Sequence, residues 1–255
     1  MISSFSLEGK KALVTGGSRG IGFAAAQAMA RAGAEIVIAA RLQAQLDKAC
    51  ETLAGKGFKV SGFSHDMSDI EGIQPLYDRI ISETGGIDIL VNNAGGTRRG
   101  PAEIITEQDW DFVMDLNAKA VFTMCKAFAK ERITAKRPGK IINIASLMSE
   151  TVRRDNAPYA ASKGAVRQLT KALAVDWARY HINVNCFGPG YIRTELTRAL
   201  WEDPEFDAWI KQRTPMGRWG TPEDLAPTVV FLASPASDFI TGQIFFVDGG
   251  LLSMF

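Results

Sequence analysis

Seven short apolar runs punctuate the chain, and a longer stretch of mixed polarity follows most of them. This alternation restricts the fold more than any other feature of the 255 residues. The runs are KKALVTGG (10–17), EIVIAA (35–40), KVSGFSHD (59–66), IDILVNNAG (87–95), KIINIAS (140–146), INVNCFGPG (182–190) and QIFFVDGG (243–250). Each is close to continuously apolar. A strand wetted on one face alternates in polarity, whereas a strand covered on both faces does not, so the runs predict a parallel sheet. Helices are expected near 20–32, 42–55, 69–83, 107–135, 157–180 and 222–233. This rhythm predicts one doubly wound α/β domain over 1–255, with a seven-stranded parallel sheet and helices on both faces. Residues 191–220 break the rhythm. That insertion carries Trp201, Trp209, Trp219, Pro204 and Pro215. It reads equally as a substrate lid or as a small helical pair covering a sheet edge.

Charge narrows the partners. Lys and Arg number 29 against 28 for Asp and Glu, a net charge of +1, which argues against nucleic acid or an anionic membrane as the main partner. Cys50, Cys125 and Cys186 form no C-x-x-C pair, and only His65 and His181 are present. A disulfide framework and a metal site are therefore not expected. The opening MISSFSLEGKK lacks the apolar core of a signal peptide, and no run reaches the length of a membrane span. A reducing, cytoplasmic setting is the expectation.

The first strand runs into TGGSRGIG (15–22) and then a helix. Glycine there permits a tight turn, a close approach to phosphate and close helix–strand packing. The helix start then offers free N–H groups and the positive dipole end to a diphosphate. The spacing of Gly16, Gly20 and Gly22 is G-x-x-x-G-x-G. A literal G-x-G-x-x-A begins late, at Gly20, Gly22 and Ala25. The same loop also spells G-x-S-x-G, a nucleophile elbow with Ser18 as nucleophile. That reading needs a late histidine, and His181 at a strand start is poorly suited. A glycine turn with no ligand is the third reading.

The second strand ends Ala39-Ala40-Arg41 with no carboxylate to accept from a ribose 2′-hydroxyl. Arg41, with Arg19 from the glycine loop, suits a 2′-phosphate through charge-assisted bonds. NADP(H) is thus favoured over NAD, unless Arg41 is simply a solvated helix-start residue. Asp66, at the end of the third strand, reads as an adenine contact or as a helix cap, and Ser68 competes for the cap.

Taken in order, TGGSRGIG, NNAG (92–95), Asn117, Ser146, Tyr159-Ala-Ala-Ser-Lys163 and Pro189-Gly190 resemble the short-chain dehydrogenase/reductase family over nearly the whole chain. The resemblance implies a Rossmann-type fold and a catalytic set of Asn117, Ser146, Tyr159 and Lys163. Tyr159 and Lys163 are four apart on a predicted helix and share a face. An ammonium beside a phenol lowers its pKa from about 10, so Tyr159 can exchange a proton with a carbonyl or alcohol. By resemblance, Ser146 bonds the substrate oxygen, Lys163 also holds ribose hydroxyls and Asn117 positions a water. The same correspondence assigns the cofactor to Gly16, Ser18, Arg19, Gly20, Ile21, Gly22, Arg41, Asp66, Met67, Asn93, Ala94, Gly95, Tyr159, Lys163, Pro189, Gly190, Ile192 and Thr194. It also implies a homotetramer or homodimer.

Four arginines, Arg98, Arg99, Arg153 and Arg154, sit on loops flanking the expected site. They point to an anionic substrate, with at least two of them simply solvated. TRRGP (97–101), NIASLMSE (143–150), GYIRTELTRAL (190–200) and PMGRWGTPEDL (215–225) resemble the gluconate 5-dehydrogenase branch of the family. That implies NADP(H)-dependent interconversion of 5-keto-D-gluconate and D-gluconate, an activity of carbohydrate metabolism. Arg99, Ser146, Glu150, Arg154 and Tyr159 would meet the substrate. The alternatives are a 3-oxoacyl carrier-protein reductase of the same family, a hydrolase using Ser18 and a non-catalytic NADP(H)-binding protein.

Overall fold

A computed structural model describes residues 3–254. Its seven strands are β1 (Lys11–Thr15), β2 (Glu35–Ala40), β3 (Val60–Ser64), β4 (Ile89–Asn92), β5 (Gly139–Ile144), β6 (Ile182–Pro189) and β7 (Ile244–Val247). They form a single sheet in the order β3-β2-β1-β4-β5-β6-β7, and every pairing is parallel. The helices α1 (Gly20–Arg31), α2 (Gln43–Ala54), α3 (Ile73–Thr84), α4 (Glu107–Met114), α5 (Ala120–Ala135), α6 (Ala157–Trp177), α7 (Arg198–Trp201), α8 (Pro204–Arg213) and α9 (Pro222–Ala233) complete the domain. After β3 the chain returns past β1 to build the other half of the sheet. Strand order therefore reverses between β1 and β4, the place where such sheets present a crevice to ligands.

The period-two geometry of the strands divides the core between two faces. Leu13, Val37, Ala39 and Ile141 face a cluster with α3, α5 and α6, while Ala12, Val14, Ile36, Ile38 and Ile142 face one with α1, α2 and α9. Burial on both faces holds for the inner strands but not at the margins. In β3 only Phe63 is buried, and β7 is half-buried throughout. An edge strand has one neighbour in the sheet and incomplete helix cover, so apolar composition alone overstates its burial.

Two helix boundaries also differ from expectation. Residues 66–72 form turns in place of a helix start: Asp66 accepts from the Ser68 N–H (3.0 Å) and Asp69 from the Gly72 N–H (3.2 Å). The helix expected over 107–135 is interrupted by a five-residue π-helical turn, Asp115–Lys119, between α4 and α5. In the insertion, the short α7 and α8 pack around Tyr191, Phe206, Trp209 and Trp219, with Tyr191 meeting the other three rings edge-on at 5.6–6.4 Å. Among the described residues, no helix is long and apolar enough to cross a membrane.

At the amino end of the sheet, Arg132 of α5 is almost fully buried. It donates to Asp88 Oδ1 (2.9 Å) and to both carboxylate oxygens of Glu131 (2.7 and 2.9 Å). Removing one partner of a buried ion group leaves the others uncompensated. Arg132→Leu is therefore expected to lower unfolding stability by about 3 kcal/mol, read as a shifted denaturant midpoint. A change below about 0.5 kcal/mol, the size of an ordinary surface substitution, would contradict this account.

Candidate active site

β1 ends in a turn that only small residues can make. Gly16 lies at φ +63°, and a Cβ there would sit 2.9 Å from Asn93 Nδ2. A Cβ on Gly22 would meet Asn93 Nδ2 at 2.4 Å and the Gly16 carbonyl at 2.5 Å. Asn93 fills this space for a reason. Its Nδ2 donates to the Thr15 and Gly16 carbonyls at 3.0 Å each, and Thr15 Oγ1 accepts from the Asn93 and Ala94 N–H groups at 3.1 Å each. The end of β4 is thus laced to the glycine loop. Asn93 serves as this clamp, while its neighbours Ala94, Gly95 and Gly96 form cleft wall. Arg19, at the N-cap of α1, makes no side-chain cap, so the first N–H groups of the helix are left to face the cleft. A cradle kept free of Cβ atoms beneath an uncapped helix start fits the diphosphate of a dinucleotide.

One continuous cleft runs along the carboxyl edge of the sheet. Its lining brings together Gly16, Ser18, Arg19, Gly20, Ile21, Arg41, Asp66, Met67, Asn93, Ala94, Gly95, Ser146, Tyr159, Lys163, Pro189, Gly190, Ile192 and Thr194. Gly22 stands behind the loop, as its contacts require. Leu42, Gln45 and His65 also line the Arg41 end, and sequence reasoning did not single them out. There, Arg41 pairs with Asp66 at 3.4 Å. Partial burial would raise the Asp66 pKa, but bonds from Ser68 and the Arg41 charge outweigh it and hold the carboxyl below its ordinary range. Asp66, not Ser68, accepts in this turn: Ser68 donates both its N–H and its hydroxyl to Asp66 Oδ1.

At the other end, Ser146 follows β5, and its Oγ accepts from the Met148 N–H (3.1 Å). Tyr159 and Lys163 lie one turn apart on α6. Lys163 Nζ donates to the Ile144 carbonyl (2.7 Å) and stands 5.6 Å from the Tyr159 ring centroid. Burial pushes the Tyr159 phenol above its ordinary pKa, against the Ser146 hydrogen bond and the Arg99 charge, and Tyr191 adds to the rise. The expectation is that Lys163 and an oxidised nicotinamide acidify this phenol together; among the chain's own groups, Ser146 and Arg99 rather than Lys163 work in that direction. Lys163 itself is pulled down to about 8, because its ammonium is desolvated.

Asn117 sits in the π-helical turn, fully buried and outside the cleft lining. Its Oδ1 accepts from the Gly96 N–H (2.9 Å), and its Nδ2 donates to the Gly96 carbonyl (2.9 Å) and Ser162 Oγ (3.0 Å). Both amide donors are spent, and the side chain braces the cleft wall against α6.

The arginines divide. Arg98 stacks on Phe112 (4.0 Å) and pairs with Asp109 (3.3 Å). Arg154 is exposed and is corrected to a solvent position, because the chain turns at Asp155 (φ 60°) and carries Arg153 inward instead. Glu150 is corrected too: it is exposed, lies outside the cleft lining and pairs with Arg167 of α6. Arg99 remains. Its pKa is lowered by partial burial and by Arg153, and its charge acts on the Tyr159 and Tyr191 phenols. Tyr191, which sequence reasoning did not single out, and Arg153 thus lie within electrostatic reach of Arg99, although neither belongs to the cleft lining. The hydrolase reading fails on distance: His181 opens the amino end of β6, while Ser18 lies past the carboxyl end of β1.

Comparison with known proteins agrees with this geometry. A family model described as enoyl-(acyl carrier protein) reductase matches residues 16–252. A gluconate 5-dehydrogenase of Gluconobacter oxydans is 46% identical over 97% of this chain and 96% of its own. A 2-dehydro-3-deoxy-D-gluconate 5-dehydrogenase of Escherichia coli is 44% identical over 99% of both chains. The crystal structure of a gluconate 5-dehydrogenase from Burkholderia cenocepacia in complex with NADP and tartrate superposes with a TM-score of 0.96, at 45% identity and 99% coverage of both chains.

The Lys163 ionisation gives a pH signature. With a folded pKa near 8 against an ordinary value of 10.5, the folded state binds fewer protons than the unfolded state between those limits. The cost of burying the ammonium is felt in full below pH 8 and relieved as pH rises towards 10.5. Relative to Lys163→Met, wild-type stability is therefore expected to rise by on the order of 3 kcal/mol across that window, measured by denaturant unfolding at stepped pH. A flat difference would mean that Lys163 keeps its ordinary pKa.

Proposed function

The chain belongs to the short-chain dehydrogenase/reductase family, and from that premise we propose that it uses NADP(H) to interconvert 5-keto-D-gluconate and D-gluconate. An oxidoreductase acting on a CH–OH group follows from family membership. The finer reading is carried by one observation. Arg99, which has no ion pair among the described residues, acts on the phenol of Tyr159 at the end of the dinucleotide cleft. A cation at that point suits a substrate with a carboxylate at one end and a carbonyl within reach of Tyr159. The two curated relatives described above bear names that share oxidation at C5 of a gluconate skeleton, and they differ at C2 and C3.

In this reading the α1 start and the glycine loop hold the diphosphate, while Arg19 and Arg41 receive the 2′-phosphate. Asp66 and Met67 meet the adenine, Lys163 the ribose, and Pro189, Gly190, Ile192 and Thr194 the nicotinamide end. The reduced nicotinamide, when bound, supplies a hydride. Ser146 donates a hydrogen bond to the substrate carbonyl oxygen, and Tyr159 delivers its phenolic proton to the same oxygen. Ser146 and Arg99 lower the cost of the resulting phenolate. Lys163, tied to β5, fixes the position of the ring. Asn117 keeps the opposing wall in place, and helices α7 and α8 act as a lid that excludes water over the substrate end. A homo-oligomer and a cytoplasmic setting complete the proposal. A second reading, reduction of 3-oxoacyl carrier-protein thioesters, draws on the description of the matching family model.

Absorbance of NADPH, followed with 5-keto-D-gluconate, the C5-keto form of 2-dehydro-3-deoxy-D-gluconate and a 3-oxoacyl thioester, separates these readings. The highest kcat/KM is expected on 5-keto-D-gluconate, and preference for the thioester would overturn the proposal. Tyr159→Phe is expected to lower turnover by about 10²–10⁴-fold, the usual worth of a general acid, while NADPH binding persists; retained turnover would remove Tyr159 from its role. Arg41→Asp is expected to shift the NADPH/NADH preference by at least about tenfold, on the scale of one charge-assisted contact. No shift would assign phosphate recognition elsewhere.

A further inference from the structure

We propose that Arg153, together with Arg99, forms the anchor for the substrate carboxylate and so sets the preference for acids over neutral polyol ketones. The inference rests on the sugar-acid reading above and adds a residue and a mechanism to it. The two arginines come from different strand ends, after β4 and after β5, yet their loops are tied together. The Gly100 N–H donates to the Asp155 carbonyl (3.1 Å), and Thr97 Oγ1 donates to Asn156 Oδ1 (3.2 Å). Arg153 lies over the ring of Phe206 at 5.0 Å. Phe206 meets Tyr191 at 5.6 Å, and Tyr191 packs with Tyr159 around Leu147, Met148 and Leu251. A planar guanidinium is thereby held against the lid helix α8, at the start of a run of packed side chains that leads through Phe206 and Tyr191 to the cluster on which Tyr159 also packs.

Charge accounting gives this cation its meaning. Around the same rim, Arg98 pairs with Asp109, Arg167 with Glu150 and Arg193 with Asp207. Among the described residues, Arg99 and Arg153, like the exposed Arg154, have no acid, and Arg153 Nε, like Arg167 Nε, is buried without a hydrogen-bond partner. Arg153 also depresses the Arg99 pKa, as two like charges in partly desolvated surroundings must. Folding does not gain from such a pair. A carboxylate placed between them would relieve the repulsion and satisfy the open donor, and guanidinium forks match its geometry. Stacking on Phe206 orients the fork before the substrate arrives, which limits the entropy lost on binding. The same stack makes α8 part of the carboxylate site, so that the lid and the anchor form together.

The test compares wild type with Arg153→Gln and Arg153→Lys on 5-keto-D-gluconate and on the ketohexose in which CH2OH replaces its carboxylate. For Arg153→Gln, KM for the acid is expected to rise at least tenfold, with a much smaller effect on kcat and a loss on the neutral ketose at least tenfold smaller. Arg153→Lys should recover part of the affinity, because it restores charge without the planar stack. Equal losses on both substrates, or no rise in KM, would overturn the inference. Calorimetric binding of D-gluconate to the NADP⁺ complex separates this inference from the proposed reaction. If wild type fails to reduce 5-keto-D-gluconate but binds D-gluconate at least tenfold more tightly than Arg153→Gln, the reaction is wrong and the anchor stands. If the two bind D-gluconate equally, or if wild type does not bind it, the anchor is wrong.

Discussion

The bond from Lys163 Nζ to the Ile144 carbonyl, 2.7 Å long, ties the site to the fold. It joins the first turns of α6 to the last residue of β5, two residues before Ser146. Tyr159 is one turn back on the same helix, so a single contact sets the phenol and the serine hydroxyl in register. The contact is a demanding one. An ammonium is held where burial pulls its pKa to about 8, and the carbonyl of a strand's last residue accepts from it. A group at that pKa can change protonation near neutral pH, which an exposed lysine cannot. Geometry and reactivity are thus two consequences of the same desolvated hydrogen bond.

Asparagine amides do comparable work on the opposite wall. Asn93 laces β4 to the glycine loop, and Asn117 braces Gly96 against α6. Beneath them Asn92 donates to Asn143 (2.9 Å), which donates to Thr170 (3.0 Å), so a fully buried polar chain crosses from β4 through β5 to α6. Each member is satisfied. Buried networks of this kind fix one arrangement of elements where apolar packing would tolerate several. The cleft sits on a scaffold whose register is set by amides at the carboxyl ends of the central strands, with hydrophobic layers supplying the bulk of the stability on either side.

The sequence carried the strand count and the parallel architecture, because an apolar run covered on both faces has few other uses. It also carried the cleft lining, since the glycine loop, Ser146 and the Tyr159–Lys163 pair each occupy a fixed place relative to a strand end or a helix turn. Loop orientation was not legible. Arg153 and Arg154 are adjacent and chemically identical, and the choice between them depends on a left-handed residue at Asp155 and a bond from Gly100 across a gap of 55 positions. Glu150 looked available because its partner, Arg167, lies a helix turn beyond Lys163. The direction of the Tyr159 shift was also out of reach. Spacing shows that Lys163 is close, but the desolvation that dominates both groups depends on everything else packed against them.

The distribution of acids around the rim shows what such a site asks of its fold. A pocket intended for an anion has to keep its own carboxylates away from the cations that will receive it, or they neutralise one another. Here the nearby acids are drawn off: Asp109 to Arg98, Glu150 to Arg167, and Asp207 to Arg193, Lys211 and the Trp219 indole N–H (2.9 Å). The adenine end follows a different rule. Arg41 does have an acid, Asp66, but at 3.4 Å and largely in solvent the pairing is weak enough to yield to a phosphate. An exposed cation proposed to receive the cofactor can thus be parked on a neighbouring carboxylate. On the proposed assignment, cations meant for a substrate carboxylate are left open and held by other means, and an aromatic ring such as Phe206 beside Arg153 can do so without consuming the charge.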